Sequence, residues 1–158
     1  MSVVMKFGGT SVADPDAINR LIGIVRQQQA KTKSPPLVVV SALAGVTDKL
    51  VALVQLTEDG ASAKAAAEVE ALLQRHLSVA TAVTSASRQS LLADVRRERE
   101  ELNGLVHARS VLREVSHRSR DAVHAVGEVV SSRIVAAALC SASVINTVLA
   151  STQLLAIP

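Results

Sequence analysis

The stretch KFGGTSVADPDA, Lys6–Ala17, places a lysine, two adjacent glycines and two hydroxyls between an apolar run and a helix-start signal. The preceding SVVM is short and β-branched, as a buried strand would be. After it, Asp14 is an N-cap residue and Pro15 suits the first helical position. The predicted order is therefore strand, glycine loop, helix. Because Gly8 and Gly9 lack a Cβ, their amides can approach a bulky anion, and the following turn can offer further N–H groups. Lys6, at the end of the strand, would add a full positive charge at the rim. A tight strand-to-helix turn beside a solvated lysine fits the same local pattern. The loop is not a P-loop, since the lysine precedes the glycines and GxxxxGK[ST] is absent.

Working outward, Ile18, Leu21, Ile22 and Val25 recur at helical spacing and predict an amphipathic helix to about Ala30. KTKSPP follows as a polar connector. Leu37–Val40 is a continuous apolar run of the kind buried on both faces of a parallel sheet. SALAGVTDK then opens into a second helix through Leu56. Strand, loop, helix thus occurs twice, which predicts Val3–Met5 and Leu37–Val40 as adjacent parallel strands joined by a right-handed crossover. The two loops should then lie side by side at the carboxyl ends of the strands, where open α/β sheets bind ligands.

Residues 61–83 carry Val69, Leu72, Leu73, Leu77, Ala80 and Val83 on one helical face, and residues 88–113 carry Leu91, Leu92, Val95, Leu102, Leu105, Val106 and Leu112. TSAS between them supplies turn and cap residues, so the pair reads as a helical hairpin. Ser116 or Ser119 is a candidate cap for a last helix holding HAVGEVVSSRIVAAAL. There, Gly127 weakens a good helix and Glu128 sits among apolar neighbours. This is either a packing glycine beside a surface glutamate or a carboxylate directed into a ligand site. The chain divides into 1–57, two strand–loop–helix units; 61–113, the hairpin; and 117–158, the Gly-Glu helix and a tail.

Composition narrows the function classes. At 158 residues, 49% of them apolar, the chain suits one domain with a real core, and Phe7 is its single aromatic residue. A net charge of +3 comes with arginines interleaved among acids between Arg96 and Asp121, which describes a solvated helix face. With no Trp or Tyr to stack bases, nucleic-acid binding is disfavoured. The single cysteine, Cys140, forms no internal disulfide and fits a reducing, cytoplasmic setting. No signal-peptide pattern opens the chain. The uncharged run Ile134–Pro158 is long enough to span a bilayer, but its serines, threonines, Asn146 and Gln153 favour a buried helix end and a buried strand instead. The four histidines lack metal-ligand spacing, and no GxSxG accompanies the serines.

Taken in order, KFGGTSVAD, VVVSALAGVTDKL and VGEVVSSRIVAAAL resemble the aspartate kinases of the amino-acid kinase family, over most of the chain to about Leu139. The resemblance implies an α/β fold, a parallel-sheet sandwich of the amino-acid kinase type, present as its N-terminal part with a helical hairpin insertion. It implies transfer of the γ-phosphoryl group of MgATP to the side-chain carboxylate of L-aspartate, in bacteria the opening step toward lysine, methionine and threonine. By the same resemblance Lys6 contacts the phosphates and stabilises charge in transfer. Gly8, Gly9, Thr10 and Ser11 form the loop beneath them, Ser41 and Thr47 hold the aspartate, and Glu128 orients it. A carboxylate nucleophile is ionised at neutral pH, so the site needs no general base, only two anions held together.

The family pattern continues with a strand bearing an aspartate and an arginine, and then an adenosine-binding half. SASVINTVLASTQLLAIP has no such pair. The expectation is thus a catalytic-domain fragment, inactive alone, that forms a homo-oligomer or associates with a second half. The alternative is a non-catalytic α/β binding or assembly module derived from the same fold.

Overall fold

The structure, a computed structural model, describes residues 3–85, 88–112 and 117–144. Strand β1 spans Val4–Phe7 and leads through one 3-10 turn, Gly9–Val12, into helix α1, Pro15–Thr32. Asp14 caps this helix through its side chain, which accepts from the Ala17 N–H at 2.8 Å, and Pro15 fills the first position. Strand β2, Leu37–Val40, pairs parallel with β1 in the register Val4 to Leu37 and Phe7 to Val40. The bonds Leu37 N–H to Val3 O (2.8 Å) and Ser41 N–H to Phe7 O (3.1 Å) close the ladder at its two ends. A parallel pair needs a crossover, and α1 supplies it.

Helix α2 spans Val46–Glu58, α3 Ser62–Val83, α4 Arg88–Leu112 and α5 His117–Ser141. The described residues are therefore mostly helical, around a small two-stranded parallel sheet. Ile18, Leu21, Leu43, Leu50, Leu53, Val69, Val123 and Ile134 are fully buried and join the sheet's inner face to all five helices in one core. Val, Leu, Ile and Ala fill the buried centre of this core, with the single aromatic residue, Phe7, packed half-buried at its edge.

Helices α3 and α4 fold back on each other, and Arg99 of α4 bonds Glu70 of α3 at 3.1 Å. Arg133 of α5 meets the buried Glu98 of α4 at 2.8 Å. Over Arg120–Ser141, α5 is long and apolar enough to cross a membrane by length and composition. Its Val123, Val130, Ile134, Val135, Ala138 and Leu139 are nevertheless buried against the other elements, which makes it a core helix.

Two expectations need correction, and two others fall on residues outside those described. The first strand was expected over Val3–Met5, whereas β1 runs to Phe7, so Lys6 is a strand residue paired opposite Val39. Leu37–Val40 is not buried on both faces: Met5, Phe7, Val38 and Val40 pack inward, while Val4, Leu37 and Val39 are 62%, 42% and 38% exposed. The physical reason is that the core packs against the face of Met5, Phe7, Val38 and Val40, and the opposite face is left exposed. Ser119 lies inside α5, and Ser116, the other candidate cap, lies outside the described residues, as does the tail expected as a strand from residue 145 onward.

Candidate functional site

The two loops that leave the strands are in contact. A Cβ built on Gly9 would stand 3.0 Å from the Ala42 carbonyl oxygen and 3.4 Å from the Ala44 backbone, so the 3-10 turn lies directly on the SALAG loop. A side chain at position 9 would push the loops apart. Gly8 differs: its backbone is extended (φ −77°, ψ 173°), and an added Cβ would meet nothing within 4 Å. Neither turn geometry nor packing asks for a glycine there.

Ser11 N–H closes the turn on Gly8 O at 2.9 Å. In this i to i+3 pattern the N–H groups of Gly9 and Thr10 have no acceptor within the turn. Thr10 is exposed and Ser11 half-buried. Lys6 emerges on the outer face of the sheet, one residue before the strand ends. Thr47 is exposed in the first turn of α2.

Helix α5 closes on the second loop. Gly127 permits this, because a Cβ there would lie 2.9 Å from Val46 Cγ1, 3.0 Å from Ala42 Cβ and 3.2 Å from Leu50 Cδ1. One turn later the fully buried Ser131 donates its hydroxyl to Ser41 O. Gly127 is thus a packing glycine. Glu128, adjacent to it, is exposed and is not enclosed by apolar neighbours as its sequence context suggested. Among the described residues, the side chains of Lys6, Thr47 and Glu128 make no hydrogen bond or ion pair with the protein.

The structure therefore gathers Gly8, Gly9, Thr10, Ser11 and Ser41 at the carboxyl ends of two parallel strands, and seats the Glu128 helix against the Ser41 loop. No direct contact joins Lys6 to Glu128. Ser131 belongs with the site although no motif chemistry marks it; its position four residues after Gly127 puts both on one helix face. The small apolar cavity lined by Leu50, Leu73, His76, Arg99 and Gly127 lies among the helices, apart from the loop contact. Within it His76 bonds Leu72 O through Nδ1 at 2.7 Å, while its Nε2 is buried without a partner. Burial, chiefly, and the Arg75 guanidinium hold its imidazole below the ordinary 6.5, against the raising effect of the Leu72 bond. Among the described residues no group of three His, Cys, Asp or Glu side chains is placed to hold a metal ion.

The amino acid kinase family model matches residues 1–155 of this chain. The chain belongs to the amino acid kinase family. Its relatives within it are aspartokinases. It is 30% identical over 142 residues to an aspartokinase of Candida albicans, covering 82% of this chain and 24% of that protein. It is 53% identical over 58 residues to the lysine-sensitive aspartokinase 3 of Escherichia coli, covering 37% of this chain and 12% of the relative. The crystal structure of E. coli aspartokinase III in complex with aspartate and ADP superposes with a TM-score of 0.74 at 29% identity, over 90% of this chain and 30% of that one. The chain spans less than a third of the length of each of these relatives.

Proposed function

We propose that this chain carries the phosphate- and aspartate-binding part of an aspartate kinase site, in the reaction of ATP and L-aspartate to ADP and 4-phospho-L-aspartate. The observation that carries the reading is the contact of the two loops at the carboxyl ends of parallel strands, Gly9 against Ala42, with α5 seated on the second loop. In the proposed reaction, a carboxylate oxygen of aspartate forms a new bond to the γ-phosphorus as the bond to the bridging β,γ-oxygen breaks. No proton need move, since the nucleophile is already an anion.

Catalysis then consists of holding anions together and neutralising the charge that builds between them. Lys6 supplies the positive charge, and the free N–H groups of Gly9 and Thr10 supply donors next to the bare Gly8. Magnesium bound to the nucleotide, as part of the co-substrate, would supply further charge neutralisation there. Ser41 and Thr47 hold the aspartate by their hydroxyls, and Glu128 pairs with its ammonium group. The aspartate- and ADP-bound relative supports this assignment of ligands. The core position of α5 supports its reading as part of the folded domain and not as a membrane span.

One observation favours the second reading, a non-catalytic assembly module: Val4, Leu37 and Val39 form an uncovered apolar sheet face. Titration with L-aspartate and with inorganic tripolyphosphate, followed by amide NMR, separates the two readings. The kinase reading expects saturable shifts at Gly8–Ser11 with the polyphosphate, abolished by Lys6→Ala, and at Ser41–Thr47 with aspartate, abolished by Glu128→Gln. A folded chain that binds neither, and that light scattering finds self-associated, establishes the assembly reading instead.

A further inference from the structure

Ser41 is held at both of its backbone polar groups by different elements. Its N–H bonds Phe7 O at the end of β1, and its C=O receives the hydroxyl of Ser131 from α5, ninety residues further along the chain. The second bond is unusual for a helical hydroxyl. Ser and Thr side chains in helices ordinarily turn back to a carbonyl of their own helix, and Thr57 and Ser132 do so here, bonding Val54 and Val129. Ser131, with no exposed surface, reaches another element instead.

Gly127, on the same face one turn earlier, brings α5 against Ala42, Val46 and Leu50 without a spacer. Helix and loop are therefore joined at two points a turn apart, one steric and one a directional hydrogen bond. The steric contact sets how near the helix comes. The hydrogen bond sets its rotation and its register along the loop. Glu128 lies between the two points in sequence, so its departure from the helix is fixed relative to Ser41 by the same pair.

We infer that Ser131 is a positioning residue of the site: by tying Ser41 to α5 it holds the Ser41 hydroxyl and the Glu128 carboxylate at a fixed separation, the separation a substrate with both an ammonium group and a carboxylate must span. The inference rests on the proposed aspartate-binding role of Ser41 and Glu128. It extends that role to a residue which touches no substrate.

The test compares the whole chain with Ser131→Ala, Ser131→Cys and Ser132→Ala, the last removing a helical hydroxyl with no bond to the loop. Ser131→Ala is expected to weaken L-aspartate binding by about five- to tenfold, the equivalent of one hydrogen bond, while leaving tripolyphosphate binding at the glycine loop unchanged. Hydrogen exchange of the Ala42–Val46 amides should accelerate in Ser131→Ala while α3 and α4 keep their protection. Ser131→Cys, of similar size with a weaker donor, should fall between the two, and Ser132→Ala should match the parent chain. Equal weakening of both ligands, with exchange rising everywhere, would mean a general structural role and overturn the inference. So would parent-like aspartate affinity in Ser131→Ala. A parent chain that binds no L-aspartate overturns the functional reading and this inference with it.

Discussion

Gly9 and Ala42 are in backbone contact: a Cβ on Gly9 would stand 3.0 Å from the Ala42 carbonyl oxygen. Two loops separated by some thirty residues of chain therefore meet through main chain, and neighbouring Gly8 takes no part in the meeting. Of the two glycines of one motif, only the second is required by the protein's own packing.

Alanine substitution should separate them. Gly9→Ala must displace a carbonyl that cannot rotate away, and overpacking of this kind costs about 1–3 kcal/mol. Gly8→Ala meets open space in an extended conformation that alanine adopts freely, so stability should hold or rise by about 0.5 kcal/mol through the unfolded chain. Urea denaturation measures both. If Gly8→Ala keeps its fold yet loses tripolyphosphate binding, the bareness of residue 8 serves a ligand; retention of that binding would remove Gly8 from the proposed site.

Gly127→Ala opposes two effects of known size. Alanine gains about 1 kcal/mol of helix propensity over glycine. Against it stand contacts of 2.9, 3.0 and 3.2 Å to side chains of Val46, Ala42 and Leu50, each at most 2% exposed. The clash should win, for a net loss of about 1–2 kcal/mol. Removing the nearest obstacle tests the cause: in the double substitution Gly127→Ala with Val46→Ala, the coupling should be favourable by about 1 kcal/mol. Strict additivity would show that the clash is not with Val46.

Glu98 is 7% exposed and its partner Arg133 bridges α4 to α5 at 2.8 Å. Arg133→Met leaves a carboxylate with little access to water and should cost about 2 kcal/mol, less than a fully buried pair because the guanidinium side remains partly solvated. Arg133→Met combined with Glu98→Leu should recover most of that loss. A double variant no more stable than Arg133→Met alone would mean that the pair's worth lies in side-chain packing and not in charge.

His76 gives stability a slope with pH. Its folded value lies below 6.5, so near that pH the unfolded chain binds a proton that the native chain does not. Its contribution is therefore complete above pH 6.5 and is lost as the pH falls through 6.5 toward the folded value. Unfolding free energy measured downward from pH 7 should fall by at most about 1.4 kcal/mol per pH unit from this one group. His76→Gln should flatten that part of the curve, whereas an unchanged slope would assign it to carboxylates.

Much of the local structure was legible because it depends on neighbours in sequence. Asp14 and Pro15 mark a helix start wherever they stand before an apolar face, and the spacing of Ile18, Leu21, Ile22 and Val25 selects a helix before any partner is known. The repeated strand–loop–helix order implied a parallel pair, since two strands joined by a helix cannot easily pair otherwise. Family membership was likewise readable from three ordered motifs.

What the sequence could not assign was the partner of each small residue. Gly8, Gly9 and Gly127 are identical as letters, and only the fold makes one of them free, one a backbone contact and one a seat for Val46. Ser131 and Ser132 are adjacent serines; a rotation of 100° per residue about α5 turns one to Ser41 and the other back to its own helix. Leu37–Val40 reads as buried on both faces because apolar content reports the tendency to be covered, while the covering elements are supplied by the packing of distant segments. Sequence by itself determined where the described helices and strands form, to within a few residues, because backbone propensity and periodicity act over a few residues. Tertiary structure alone decided which loop touches which helix and at what distance, because those contacts are chosen by the shape and volume of a core assembled from all five helices at once.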